Sequence, residues 1–233
     1  MPSLPRRLVA EAFGTFGLVF VGAAVVVVNG GFPNSGIGLL GIALAHAVVL
    51  SVMVTATMTI SGGHLNPALT IGLLVARRID FKSAVAYVMT QLAAACVAAL
   101  LVKFLLPPAA VRNAVVGAPI IAGSMSLGQA IGLEAVLTFF LMSAVFGTAV
   151  SPDAPRVGGF GIGLVLLFDI LVGGPLTGAA MNPARAFGPA VVSGEWVGHM
   201  VYWIGPIAGA ILAALLWENF LLPRVPLRRR RTD

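Results

Sequence analysis

The tripeptide Asn-Pro-Ala occurs twice, as Asn66-Pro67-Ala68 and as Asn182-Pro183-Ala184, each time after a Gly-rich turn and ahead of a short apolar stretch. Asn is favoured as a helix N-cap and Pro at the first helical position, so each copy reads as a helix start. The stretches that follow, 67–76 and 183–192, end after about ten residues, roughly 15 Å of helix and about half a bilayer core. The chain around them is 59% hydrophobic and 9% charged. A soluble domain carries roughly a quarter charged residues, so this surface faces lipid. Two Asn-capped half-helices in such a chain point to a membrane pore.

Hydropathy places spans at about 8–28, 37–60, 83–106, 127–150, 157–172 and 197–222. The run after Arg6-Arg7 is too long for a signal peptide and reads as a retained first helix. Pro107, Pro108 and Pro119 mark a polar-poor loop, and 151–155 reads as a turn. Gly173-Gly174-Pro175 is expected to break the fifth span and lead into the second half-helix. With six spans, every Lys and Arg except Lys103, Arg112 and Arg185 falls on one side: Arg6, Arg7, Arg77, Arg78, Lys82, Arg156, Arg224 and the run Arg228-Arg229-Arg230-Arg231. The positive-inside rule makes that side cytoplasmic, with both termini on it. The basic run is read as a topology signal that also favours anionic lipid, with no nucleic-acid partner. Cys96 is the only cysteine, reads as inert packing, and excludes a disulfide within the chain.

The halves repeat. Glu11 precedes Thr15 by four residues, and Glu134 precedes Thr138 by four, each pair on one helix face. Each Glu stands about fifty residues ahead of its Asn-Pro-Ala. The chain therefore reads as a single domain, 1–233, of two repeats at about 7–106 and 127–222, with a basic tail at 223–233. Three spans per half is an odd number, so the halves insert in opposite senses and the two turns meet at the midplane. Glu11 and Glu134 are expected to accept hydrogen bonds from re-entrant backbone N–H groups that lipid would leave unsatisfied; a proton relay is the alternative. Asp169 has no counterpart in the repeat, and either braces Gly173-Gly174 or pairs with His199. Gly14, Gly128, Gly132, Gly159, Gly163, Gly205 and Gly209, several of them four apart, are read as close-packing positions.

As N-caps, Asn66 and Asn182 engage their side-chain oxygens with backbone N–H groups, leaving each NH2 to donate into the pore. A water between them would point its oxygen at both. The half-helix N-termini, each worth about half a positive charge, oppose cations, hydronium included. With three His and one Cys in the chain, no nucleophile–base–acid or metal-ligand cluster emerges. No catalytic residue, cofactor or metal is expected. The rival of another class is an ion-coupled secondary transporter, which needs titratable midplane groups; only Glu11, Glu134 and Asp169 qualify.

The two Asn-Pro-Ala turns, Ser61-Gly62-Gly63-His64-Leu65 before the first and Arg185 after the second together resemble the aquaporin family over nearly the whole chain. The resemblance implies an all-α membrane protein of six transmembrane helices plus two re-entrant half-helices. It implies a passive water channel that excludes protons and ions, assembled as a homotetramer in the lipid bilayer. The family's narrow filter maps to His46, 20 residues before Asn66, and to Ile170, Ala179 and Arg185, at 12 and three before and three after Asn182. Carbonyls of Gly62, Gly63, His64, Gly178 and Ala179 would form the acceptor ladder. Glycerol facilitators carry Trp at the first filter position and Asp after the Arg; here His46 and Ala186 stand there. A glycerol or urea facilitator is therefore the alternative. His46 with Ile170, and the stretch from Asp169 to Pro175, resemble the plant vacuolar and aquaporin-eight types, which implies passage of ammonia or hydrogen peroxide. The short basic tail resembles a prokaryotic member, which implies the plasma (inner) membrane.

Overall fold

The computed structural model describes residues 2–223. Met1 and the tail from Arg224 onward, including Arg228 to Arg231, lie outside the described residues. Six helices are long and apolar enough to cross a membrane among the described residues: Leu4–Gly31, Gly38–Ser61, Phe81–Leu105, Leu127–Val150, Phe160–Thr177 and Val201–Leu221. These contain α1 (Leu4–Gly31), α2 (Gly38–Ser61), α4 (Phe81–Leu105), α6 (Leu127–Val145), α7 (Phe160–Thr177) and α9 (Val201–Leu216). The fourth and sixth spans end in π turns, Phe146–Val150 and Trp217–Leu221. The half-helices are α3 (Pro67–Val75) and α8 (Pro183–Ser193), and the loop after α4 carries a short α5 (Pro108–Asn113).

Packing follows the inverted repeat. Helix α1 packs on α2 and α4, and α6 packs on α7 and α9. Helix α2 packs on α7, joining the repeats. Each half-helix leans on the last span of the other repeat, α3 on α9 and α8 on α4. Small residues allow these approaches: a Cβ on Gly188 would clash with the Ala95 carbonyl, and one on Gly209 with that of Ala135. Gly159 and Gly163 likewise abut α2. Gly128 and Gly132 depart from the packing expectation. A Cβ at either meets nothing within 4 Å, so they face outward from the chain.

The fifth span also differs from expectation. Helix α7 runs through Gly173, Gly174 and Pro175 to Thr177. Pro175 removes one backbone donor, yet packing against α2 and α6 holds the helix through it. The stop comes at Gly178, whose φ of +81° suits a residue without Cβ and whose N–H bonds the Gly174 carbonyl.

On the side of the N-terminus, Arg78 pairs with Glu218 through Nε–Oε1 at 2.6 Å and Nη2–Oε2 at 3.1 Å, tying the end of α3 to the end of the last span. Asp80 caps α4 by accepting from the Ser83 N–H at 2.9 Å. Hydrogen bonds from Ser83 hold the Asp80 carboxyl below its ordinary range.

Candidate functional site

Each re-entrant turn is built the same way. Asn66 caps α3 by accepting from the Ala68 N–H at 2.8 Å. Asn182 caps α8 by accepting from the N–H groups of Ala184 at 2.9 Å and Arg185 at 3.3 Å. Pro67 and Pro183 occupy the first helical position, and Ala68 and Ala184 are fully buried beneath the caps. The residues before the caps, Leu65 and Met181, both take φ of 51°. That left-handed conformation costs roughly 1–2 kcal/mol for a residue with a Cβ.

The strained turns are held by buried carboxylates. Glu11 accepts from the N–H groups of His64 at 3.0 Å and Leu65 at 2.8 Å, and from the Ser61 hydroxyl at 2.6 Å. Glu134 accepts from the N–H groups of Ala180 at 3.0 Å and Met181 at 2.7 Å, and from the Thr177 hydroxyl at 2.7 Å. Both carboxylates are 0% exposed. A tyrosine closes each turn from behind. Tyr87 donates to the Ser61 carbonyl and Tyr202 to the Thr177 carbonyl, both at 2.8 Å. The halves differ at Gln91, which donates to Glu11 at 2.8 Å; Glu134 has no such side-chain amide donor among the described residues. The sequence reading missed Tyr87 and Gln91 and gave Tyr202 no role in a turn. The signal was present, because Tyr87 and Tyr202 follow their Asn caps by 21 and 20 residues.

The amide donors of the two Asn residues need a correction. Asn66 Nδ2 donates to the Met181 carbonyl at 2.9 Å, and Asn182 Nδ2 donates to the Leu65 carbonyl at 2.9 Å. Each cap thus stitches its own turn to the opposite one. An amide carries two hydrogens, so one per Asn is left for the lumen instead of two. The physical reason is that the bent turns expose carbonyls that lipid cannot satisfy.

Three cavities follow one another through the chain. The first, about 230 Å3, opens on the side of the N-terminus and is lined by residues including Arg7, Ser61, Gly62, His64, Arg78 and Tyr87. The central one is only about 20 Å3 and is lined by Leu18, His46, Leu50, His64, Asn66, Leu69, Leu141, Leu166, Ala179, Ala180, Met181, Asn182 and Arg185. The third, about 250 Å3, opens on the far side, lined in part by Pro119, Ile120, Ile170, Gly174 and Gly178, with His46 and Arg185 shared. The waist admits about one water at a time. Its walls combine leucines and other apolar groups with a few polar ones.

His46, Ala179 and Arg185 thus share the waist, and Ile170 stands just beyond it on the far side. Arg185 Nε donates toward His46 Nε2 at 3.4 Å, and His46 Nδ1 lies 2.9 Å from the Ile42 carbonyl. Ala179 has φ of 46°, where the first repeat has Gly63 with φ of 61°. Of the ladder residues, Gly62, His64, Gly178 and Ala179 line a cavity. Gly63 lines none of the three. Its Cα hydrogens face α2, where a Cβ would lie 3.1 Å from Thr57 Oγ1 and 3.3 Å from both the Met58 nitrogen and the Val54 carbonyl oxygen.

Asp169 makes neither expected contact. It is 0% exposed, and both carboxyl oxygens lack a hydrogen-bond partner among the described residues. The turn it was expected to brace is helix, and the His199 imidazole instead accepts from Trp203 Nε1 at 3.2 Å. Burial pushes the His199 imidazole below its ordinary value, which favours this acceptor form.

A family model described as "Major intrinsic protein" matches residues 1–217. The chain is 42% identical to "Aquaporin TIP4-4" of Zea mays over 240 residues, covering 98% of this chain and 92% of that one. It is 41% identical to "Aquaporin TIP4-1" of Arabidopsis thaliana, covering 97% and 91%. Among solved structures, the aquaglyceroporin from Plasmodium falciparum superposes with a TM-score of 0.83 at 23% identity, covering 94% of this chain and 97% of that one. This last likeness is one of fold.

Proposed function

The chain belongs to the major intrinsic protein family, the aquaporins, and from that premise we propose that it conducts water together with small neutral solutes such as ammonia or hydrogen peroxide. It is a multi-pass membrane protein and a passive water channel, not an enzyme. What supports the passage of small neutral solutes is the waist of about 20 Å3 where His46 and Arg185 meet, with the apolar Ile170 beside it. Selectivity in pores of this type is understood to come from diameter, lining donors and acceptors, and electrostatic barriers. Arg185 and the single free amide hydrogen on each of Asn66 and Asn182 offer donors to a permeating oxygen. The leucines and Ile170 cost a weakly hydrated solute less than they cost an ion. Two half-helix N-termini and the fixed charge of Arg185 repel cations and hydronium.

We read the whole chain as one channel domain, assembled as a homotetramer with a pore in each subunit. Both termini are assigned to the cytoplasmic side, on the strength of Arg6, Arg7, Arg77, Arg78, Lys82 and Arg156. The relatives named TIP lend no support to the plasma (inner) membrane for this multi-pass membrane protein.

Parallel stopped-flow light scattering on one proteoliposome preparation tests the reading. Water, ammonia and peroxide fluxes are expected to be fast, unsaturated and independent of ion gradients, with glycerol at least ten-fold slower than water. Saturable proton-coupled uptake would point to the transporter class, and comparable glycerol flux to a facilitator. The double variant His46→Phe with Ile170→His closes the apolar side of the passage. It is expected to lower ammonia permeability relative to water by at least five-fold. An unchanged ratio removes His46 and Ile170 from the proposed filter.

A further inference from the structure

Helix α1 turns one face to the pore machinery, bearing Glu11, Gly14, Leu18, Gly22 and Val26 at three- and four-residue spacing. Glu11 holds the first turn, Gly14 abuts Leu65, Leu18 lines the waist, and Val26 lines the far-side cavity. Gly22 stands against the filter itself. A Cβ there would lie 2.5 Å from His46 Nε2, 2.9 Å from His46 Cδ2 and 3.3 Å from Arg185 Nε. These first two separations are too short for carbon against a ring atom. The imidazole is pinned on both sides, by the Ile42 carbonyl at Nδ1 and by Arg185 at Nε2. It cannot accommodate a methyl group without giving up one of them.

The other repeat gives an internal comparison. Leu18 and Leu141 both line the waist, each seven residues after its buried Glu. Eleven residues after Glu11 comes Gly22; eleven after Glu134 comes Val145, a buried member of the apolar core. The same helical position therefore accepts a β-branched side chain where no His–Arg pair lies against it. Glycine inside a helix is unfavourable relative to alanine, so local helix formation gives no reason for Gly22.

We propose that Gly22 is a specificity-determining position: its missing side chain lets the His46 imidazole sit against Arg185 and so sets the bore of the passage where the waist opens to the far side. The proposal rests on reading His46 and Arg185 as the filter. Gly22 touches no permeant; it acts by positioning His46. A methyl group there drives the ring off Arg185 and toward the lumen, narrowing it for the wider permeant first.

The test is a double-variant cycle in proteoliposomes of the full chain: parent, Gly22→Ala, His46→Ala and the two combined. Per-channel water and hydrogen peroxide permeabilities are read, with thermal unfolding in detergent alongside. Gly22→Ala is expected to lower water permeability at least three-fold and peroxide permeability at least ten-fold. In the His46→Ala background the same change is expected to alter both by less than two-fold. Equal losses in both backgrounds would overturn the proposal, because the methyl would then be acting through helix packing. Parent-like flux in Gly22→Ala overturns it as well. If Gly22→Ala alone fails to fold, recovery of folded protein in the combined variant supports the proposal, and failure of both overturns it. Should His46→Ala leave water and peroxide permeabilities at parent values, the filter reading itself fails and this proposal falls with it. A silent Gly22→Ala beside a strongly altered His46→Ala rejects only the role of Gly22.

Discussion

Glu134→Leu is expected to abolish accumulation of folded protein, although Glu134 contributes no atom to the cavity walls. The carboxylate is wholly buried and accepts from the Ala180 and Met181 N–H groups and the Thr177 hydroxyl. Leucine removes all three acceptor sites at once. Each orphaned buried donor costs roughly 1–3 kcal/mol, so the loss is on the order of 5 kcal/mol. That is comparable to the whole stability of many domains. The turn also holds Met181 at φ of 51° and Ala179 at 46°, conformations that would relax once the anchor is gone. Glu134→Gln keeps one acceptor oxygen but sets an NH2 group against a backbone donor, so it is expected to fold with a lowered melting temperature. Fluorescence-detected size exclusion and thermal unfolding in detergent check both. Monodisperse Glu134→Leu with parent-like melting would refute the bracing role and reopen the proton relay, for which altered proton leak in Glu134→Gln is the signature.

Arg185→Val is expected to have the largest effect on selectivity among variants that fold. Arg185 is 6% exposed and sits at the first turn of α8, where Asn182 accepts from its backbone N–H. That backbone bond survives the substitution, so the cap and the turn should persist. What disappears is a fixed cation and most of the bulk beside His46. Two unit charges about 4 Å apart interact by about 4 kcal/mol at an effective dielectric of 20. The half-helix N-termini retain part of the barrier, each equivalent to about half a charge. The variant is therefore expected to leak protons and monovalent cations at least ten-fold faster than the parent. Glycerol flux should rise to within about ten-fold of water flux. Dye-loaded vesicles report the leak and light scattering the glycerol flux. Unchanged leak together with an unchanged water-to-glycerol ratio would show that the barrier lies elsewhere, with the half-helix dipoles the next candidate.

The leucine lining of the waist shows where sequence reading stops. Leu18, Leu50, Leu141 and Leu166 line the waist, yet in sequence they cannot be told from the leucines that face lipid. Hydropathy is nearly uniform around these helices, so no apolar stripe separates inside from outside. Gly22 is hidden for the same reason: its significance lies in a histidine 24 residues away in sequence and an arginine on α8. Asp169 was visible as an oddity, but its lack of any partner among the described residues required coordinates.

The sequence by itself determined the half-helix starts, the six spans and the inverted repeat. Those depend on local chemistry: an Asn cap followed by Pro, runs long enough for a bilayer, and basic residues concentrated in alternate loops. Tertiary structure alone decided that α7 runs through Pro175, that each Asn amide reaches across to the opposite turn, and that Glu11 but not Glu134 takes a side-chain amide donor among the described residues. Each outcome turns on which polar group finds a partner once the helices are pressed together. In a medium without water, that partner has to come from a residue far away in the chain.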